Sequence, residues 1–395
     1  MSARDLAADV IIVGGGPVGL LLGVLLAQHG RHDVLLLDAR SGFAVPQGID
    51  PRVYALSRAS QQLLQRCGAW PALADGHAWA YRRMHVWDAA RPRLPDGELV
   101  FDAADVGEPD LGHIVENARL EMALREAAAH CSGFRLQTHS RVQSLQLDAT
   151  GATVTCADGL PLRARLVVAA DGAGSGLREL AGIEVLSRDY RQHALVTHVQ
   201  TEFPHRDTAW QRFLPTGPVA LLPLGDGRCS VVWSMDDALA GRLGEAGDAL
   251  FAAALTEATE GVLGRVGAVQ PRLMLKLRLL HAKRYVARRF ALVGDAAHVV
   301  HPLAGQGANL GLRDAGALAS ALADAHDPGE QRLLRRYERA RKADNVTMLA
   351  ALDGLQRLFG SSTGPLPMMR TLGLGLVNRS APVKRALMRR ALGTG

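Results

Sequence analysis

The sequence predicts an α/β protein in which a Rossmann-type parallel sheet is interrupted by an antiparallel sheet and followed by a helical, basic C-terminal region. Three observations predict it. An apolar run, Asp9–Val13, enters a glycine cluster, then an apolar helical stretch, then a second apolar run ending in an acid, Asp38. Two later apolar runs also end in acid and glycine, at Asp171-Gly172 and Gly294-Asp295, and each opens towards a helix start. Between those two, Arg272–Leu279 alternates strictly. Leu273, Leu275, Leu277 and Leu279 share one face, and Arg272, Lys276 and Arg278 the other, as in a half-buried antiparallel strand.

At 395 residues the chain exceeds the usual limit for a single core, so more than one subdomain is expected. Hydrophobic residues at 48% and charged residues at 21% fit a globular chain rather than a disordered one. Four cysteines (Cys67, Cys131, Cys156, Cys229) form no CxxC pair, which predicts a reducing compartment and no metal site. Net charge is +6, yet Gln331–Gly395 alone holds 13 Lys and Arg against Glu338, Asp344 and Asp353. The basic character therefore belongs to the tail, and no nucleic-acid partner is expected. No secretory signal is visible. Val10–Ala27 is uncharged for 18 residues, the lower edge of a membrane span, but Gly14-Gly15-Gly16-Pro17 inside it favours strand, turn and helix.

Taken in order, Gly14, Gly16 and Gly19 satisfy GxGxxG, with Pro17 and Val18 at the start of the helix Leu20–His29. Asp38 follows 24 positions after Gly14, at the end of Val34–Asp38. The glycines permit a tight turn and close approach to a pyrophosphate, while the acid can hold ribose hydroxyls. Asp50–Ser57 precedes a helix at Arg58–Cys67, and Arg52 within it is placed to neutralise a phosphate. Tyr81–Asp102 reads as strands and turns. His113–Asn117 leads into a helix at Leu120–His130, where Asn or Glu is expected to cap. Strands are predicted at Phe134–Thr138, Val142–Leu147, Ala152–Cys156 and Leu166–Ala170, then at His193–Thr201, Trp210–Leu214, Val219–Leu224 and Arg228–Ser234. Gly225-Asp226-Gly227 is a hairpin signal between the last two. In Gly294–Gly311, Asp295 at a strand end suits sugar hydroxyls. The glycines of Pro302–Asn309 let a helix start approach an anion closely. Beyond Asp314 helix is expected to Phe359, then a loop to Pro367 and the basic segment Met368–Gly395.

GGGPVG with Asp38, DGAGSGLR at Asp171–Arg178, and GDAAH through HPLAGQGANLG at Gly294–Gly311 together resemble the FAD-dependent aromatic hydroxylases with the p-hydroxybenzoate-hydroxylase-like fold. DPRVYALS at Asp50–Ser57, VEN at Val115–Asn117, Trp210–Ser234 and Tyr337–Asn345 narrow the likeness to the UbiH/UbiI/UbiF family of ubiquinone-biosynthesis monooxygenases. The resemblance implies an FAD-binding domain in three parts (1–80, 103–185 and 283–330). Segments 81–102 and 186–282 would form the substrate side, and 331–395 a helical basic region. It puts Gly14, Gly16, Pro17, Val18 and Gly19 at the FAD pyrophosphate, Asp38 at the adenosine ribose, and Arg40, Arg52, Asn117 and Val142 among the cofactor contacts. Asp171 and Gly172 would lie near the pyrophosphate and the path of a reduced nicotinamide. Gly294 and Asp295 would hold the ribityl chain, and Pro302, Gly305, Gln306, Gly307, Ala308 and Asn309 the isoalloxazine. The family often places Arg directly after the Asn; here Ala118 intervenes and Arg is at 119.

The implied reaction is hydroxylation of a polyprenylated phenol or quinol ring through a flavin C4a-hydroperoxide. FAD would be the cofactor, O2 the co-substrate, and NAD(P)H or another reductant the electron donor. The cofactor carries the difficult chemistry, so no obligatory side-chain catalyst is expected. Pro302 and His301 are the nearest candidates, beside His298, and Tyr190, His193 and His198 are candidates to activate a phenol. Gln211, Pro215 and Pro223 are wall residues by likeness only. A cytoplasmic enzyme is expected, peripheral to the inner face of the membrane through the basic C-terminal region, with a ubiquinone-biosynthesis protein complex as a further partner. A flavin reductase of isoprenoid double bonds and a catalytically silent FAD-binding scaffold would carry the same motifs.

Overall fold

The computed structural model describes residues 6–44, 50–89, 98–360 and 366–393, with the side chains of 304, 360 and 366–372 outside that description. The predicted loop 360–367 and the end of the chain fall partly beyond it.

A parallel sheet forms the base. Its order is Phe290–Leu292, Pro161–Ala169, Ala8–Val13, Val34–Leu37, Phe134–Gln137, all parallel to their neighbours. Val10, Ile11 and Ile12 are wholly buried, as a strand covered on both faces requires. The helix Pro17–Gln28 packs on this sheet with every residue from Gly19 to Ala27 buried. Burial on all sides, and not a membrane, explains why Val10–Ala27 is so apolar. Among the described residues no helix is long and apolar enough to cross a membrane. Val142–Leu147 and Ala152–Cys156 extend the sheet as an antiparallel wing.

The three acid-bearing loops all leave the carboxyl ends of strands in this one sheet, where ligands of open α/β sheets bind. Adjacent strand ends therefore gather what the sequence separates by more than 250 residues.

The second sheet has nine strands, built on Val185–Thr201, Thr208–Leu214, Gly217–Pro223, Cys229–Asp236 and Leu273–Ala282. Arg83–Asp88 and Glu98–Asp102 join its edge beside Thr208–Leu214. Alternation sorts its two faces. Leu195, Val219, Leu221, Val231 and Trp233 are buried against Leu243, Phe251 and Leu255. Those three lie on Asp237–Glu245 and Asp248–Ala258, two helices that the strand-dominated reading of this region does not contain. The opposite face turns towards the parallel sheet. Leu275, on the apolar side of its strand, is still 41% exposed because it faces the space between the sheets.

A small sheet of Val53–Leu56, Gly112–Glu116 and Ala78–Tyr81 bridges the layers. The C-terminal region is helical at Gln331–Gly360, Leu366–Arg379 and Ala381–Leu392, and turns at 323–330 separate it from the helix Gln306–Leu322.

Candidate cofactor and substrate cleft

Between the two sheets lies a cleft with about 480 Å³ of free volume. One wall carries Gly16, Pro17, Val18, Arg52, Gly172, Asp295, Pro302, Gly305, Gly307 and Ala308; the other carries Gln211 and small apolar residues of the nine-stranded sheet. The three motifs thus meet at one place, and Gln211 faces them.

The glycine turn is built by exclusion. Gly14 has φ +119°, and a Cβ there would stand 2.2 Å from the Ala170 carbonyl oxygen. A Cβ on Gly19 would meet the Gly14 oxygen at 2.0 Å. Gly16 instead faces open space. The helix that follows has Gly16 as N-cap, no side-chain cap and no acid in its first turn. The helix Gln306–Leu322 starts the same way, from Gly305 in a left-handed conformation (φ +61°). Two helix starts with free N–H groups therefore open onto one cleft, and both favour negative charge there.

Asp295 is open to the cleft and ringed by protein elsewhere. Burial pushes its carboxyl above the ordinary range, with His298 and Arg278 pulling it back. Asp171 accepts from the Leu177 N–H through Oδ2 (3.2 Å), while its buried Oδ1 has no partner. An unpartnered carboxylate oxygen, an acid lining the cleft and two uncapped helix starts fit a ligand with hydroxyls and a pyrophosphate, as FAD has.

Other predicted residues are placed behind this surface. Asp38 is 4% exposed and accepts from Arg40 (2.7 Å) and Arg125 (3.2 Å), and Arg40 also reaches Glu121 and the Gly15 carbonyl. Burial works against the Asp38 carboxylate, yet Arg40 and Arg125 hold it below its ordinary range. Val142 begins its strand near this end, two residues after Ser140, whose N–H donates to the Asp38 carbonyl. Gly294 gives its N–H to Asp314. Asn117 accepts from Tyr54 (2.9 Å), and the Arg119 Nε is buried without a partner. The Asn309 side chain is spent within the protein: it accepts from the Ser57 N–H and Ser60 hydroxyl and donates to the Ala55 and Gly305 carbonyls. Gln306 opens its helix beside the lining residues without being one.

The structure does not bring Pro215 and Pro223 to the cleft. Pro218, Ala220 and Leu222 line it, so Pro223 shares the parity of Val219 and Leu221 on the far face. His301 is 1% exposed behind Pro302, 3.3 Å from Gln192 Oε1, and burial pushes its imidazole down to about 4. His198 reaches the Asp50 carbonyl, His193 pairs with Asp237, and Tyr190 donates to Asp353. None of these four lines the cleft.

Several residues escape a reading of motifs. Asp314 is wholly buried and accepts from Gly294 N, His298 Nε2 (2.5 Å), Arg341 Nε (2.8 Å) and Asn345 Nδ2 (3.2 Å). It fixes the turn that presents Asp295 and ties it to the helix Gln331–Gly360. Arg178, 4% exposed, donates to the Ala296 and Ala173 carbonyls and so clamps two acid–glycine loops together. Asp50 caps the helix Asn117–Ala129 from a distant loop by accepting the Ala118 N–H, while the adjacent Glu116 does not cap. Tyr54, Tyr81 and Ser234 line the cleft. Only the DPRVYALS segment carried a local signal, for Asp50 and Tyr54.

The FAD binding domain family matches residues 7–350. The chain is 41% identical to ubiquinone hydroxylase UbiL of Rhodospirillum rubrum over 99% of its own length and 91% of that protein. It is 37% identical to the 3-demethoxyubiquinol 3-hydroxylase of Escherichia coli over 98% of both. Among solved structures, p-nitrophenol 4-monooxygenase PnpA from Pseudomonas putida superposes with a TM-score of 0.79 at 21% identity, covering 98% of each chain. The chain belongs to the FAD binding domain family and, within it, to the FAD-dependent hydroxylases of ubiquinone biosynthesis.

Proposed function

We propose that the protein hydroxylates the aromatic ring of a polyprenylated phenol or quinol on the route to ubiquinone. The observation that carries this is the division of a single cleft. One wall holds the helix starts and acids suited to FAD, and the other is an apolar floor of Ala194, Val196, Ala209, Ala220, Leu222 and Val232. Bound FAD, once reduced, would supply the electrons that activate O2, and O2 would supply the transferred oxygen atom. The chain's own residues place the ring and keep water away from it.

Alanines at three positions of the floor leave room for a flat ring against the sheet. Gln211 and Ser234 stand out as polar groups on that floor, and they hydrogen-bond the ring oxygens. The start of Gln306–Leu322, whose Gly307 and Ala308 line the cleft, would offer its N–H groups to the negative charge of a reduced cofactor. Pro302 and Leu303 close the cleft between the two walls. His301 stays neutral at physiological pH and holds its place by packing on Tyr190 and bonding Gln192. Reduced nicotinamide, or another reductant, would reach the cleft past Asp171 and Gly172.

The test uses purified protein with FAD, NADH or NADPH, and a short-chain quinol analogue. The expected result is one product carrying one added oxygen per O2 consumed. Saturation of a prenyl double bond, or O2 uptake without hydroxylated product, would overturn the reading.

A further inference from the structure

One end of the cleft is formed where the chain passes from the small sheet into the nine-stranded sheet. Ala78–Tyr81 closes the first and Arg83–Asp88 enters the second, and Tyr81 and Met84 both line the cleft. The ladder of a single sheet does not hold such a crossing point, so the side chains packed behind it decide where it stands. They come from the last helix. Met388 and Leu392 of Ala381–Leu392 are buried and pack with Tyr81 and Met84 around Ala103 and Leu111. One turn earlier, Lys384 pairs at 2.6 Å with Asp105 of the short helical turn Ala103–Val106. Positions 384, 388 and 392 share one face of the helix.

The far end of the same helix reaches the cofactor side. Gly393 ends it with φ +75°, and a Cβ there would stand 2.6 Å from the Ala59 Cβ. Ala59 lies on Arg58–Arg66, between Ser57 and Ser60. The Ser57 N–H (2.9 Å) and the Ser60 hydroxyl (2.7 Å) both donate to Asn309 Oδ1. Asn309 belongs to the first turn of Gln306–Leu322, beside the lining residues Gly307 and Ala308. One helix therefore packs directly behind the Tyr81–Met84 end and, through Ala59 and two serines, behind the opposite wall.

We propose that Ala381–Leu392 is a brace that sets the width of the cleft, with Lys384, Met388, Leu392 and Gly393 as positioning residues for the substrate ring. None of the four lines the cleft. They act through Tyr81, Met84 and Asn309. A wall displaced by about 1 Å leaves a bound ring outside its reacting geometry. The placing of a ring rests on the hydroxylase reading above, whereas the setting of the width does not.

Three variants of the FAD-loaded full chain test it. M388A/L392A removes the packing, K384D sets like charges together at Asp105, and G393V crowds Ala59. Iodide quenching of flavin fluorescence reads the width without any substrate, and it should rise in each variant while FAD content stays that of wild type. With a short-chain quinol, kcat/KM for hydroxylated product should fall about 100-fold. O2 uptake should continue, because NAD(P)H then delivers two electrons, with two protons, to O2 as hydrogen peroxide. The charge exchange K384D/D105K should restore both readouts. Unchanged quenching and unchanged kcat/KM in all three variants would overturn the proposal. Loss of FAD in step with loss of rate would also overturn it, since the helix would then serve the fold alone. A wild type that forms no product, with variants that still quench more, would remove the hydroxylase reading and leave the brace in place.

Discussion

At the scale of single residues, Asp295 and Asp314 are opposite cases: one carboxyl is open to the cleft and the other is wholly buried. Asp295 faces the cleft with a carboxyl pushed up by burial. A raised carboxyl favours the fold while it is protonated, and that contribution is lost as pH rises through the raised value. Asp295→Asn should therefore melt slightly higher than wild type in the FAD-free protein at neutral pH, a gain kept small because water reaches the carboxylate in the open cleft. The gain should vanish below the ordinary carboxylate range, where both side chains are neutral. The same variant should retain less FAD, and full occupancy after gel filtration would remove Asp295 from the ribityl role. Asp314 is the reverse case. Burial opposes its charge, but His298 and Arg341 hold the carboxyl below its ordinary value. Asp314→Ala removes the Nε acceptor of Arg341, only 4% exposed, which keeps Asp344 and Asn345, and takes from His298 its carboxylate partner. Denaturant unfolding should show a loss of about 2–3 kcal/mol, below the roughly 3–5 kcal/mol of a charge left with no partner. His301, pushed down to about 4, does not titrate near neutrality. His301→Gln should leave the shape of the kcat pH profile above pH 6 unchanged, and a lost limb there would make it a proton carrier.

At the scale of elements, the glycine turn separates fold from ligand. Gly14→Ala sets a Cβ against the Ala170 carbonyl at a left-handed φ. It should cost roughly 2 kcal/mol or more in stability together with FAD binding. Gly16→Ala points into open space, so it should leave the melting temperature of the FAD-free protein in place while weakening FAD. Equal destabilisation by both would contradict the turn as described. This element was legible in the sequence because strand, glycines, helix and acid all act on neighbours along the chain. Cap and clamp residues were not. Asp50 reaches the Ala118 N–H across 68 positions, and Arg178 reaches Ala296 across 118, distances over which no local pattern operates. The helices Asp237–Glu245 and Asp248–Ala258 were hidden for a different reason. Both are short, and their apolar residues serve the back of a sheet whose strands dominate the pattern around them. The wall prolines fail on parity: alternation along Gly217–Pro223 gives the cleft to even positions, and a likeness between sequences does not reveal which face that is.

Over the whole molecule, FAD would touch both sheets, because the cleft has one wall from each. Free FAD at a hundredfold its dissociation constant should raise stability by about 2.7 kcal/mol. Calorimetry should show one transition moving upwards; a shift confined to half of a split transition would place the ligand on the parallel sheet alone. The route of the chain through the two layers has a temporal consequence. The turn bearing Asp295 is fixed by Asp314, and Asp314 is fixed by Arg341 and Asn345. On the ribosome, then, a nascent chain can complete the glycine turn early but has no finished flavin pocket until the segment through Asn345 has emerged. Cofactor loading would thereby wait for that segment, and a ribosome stalled before it would carry the glycine turn with the Asp295 loop not yet fixed.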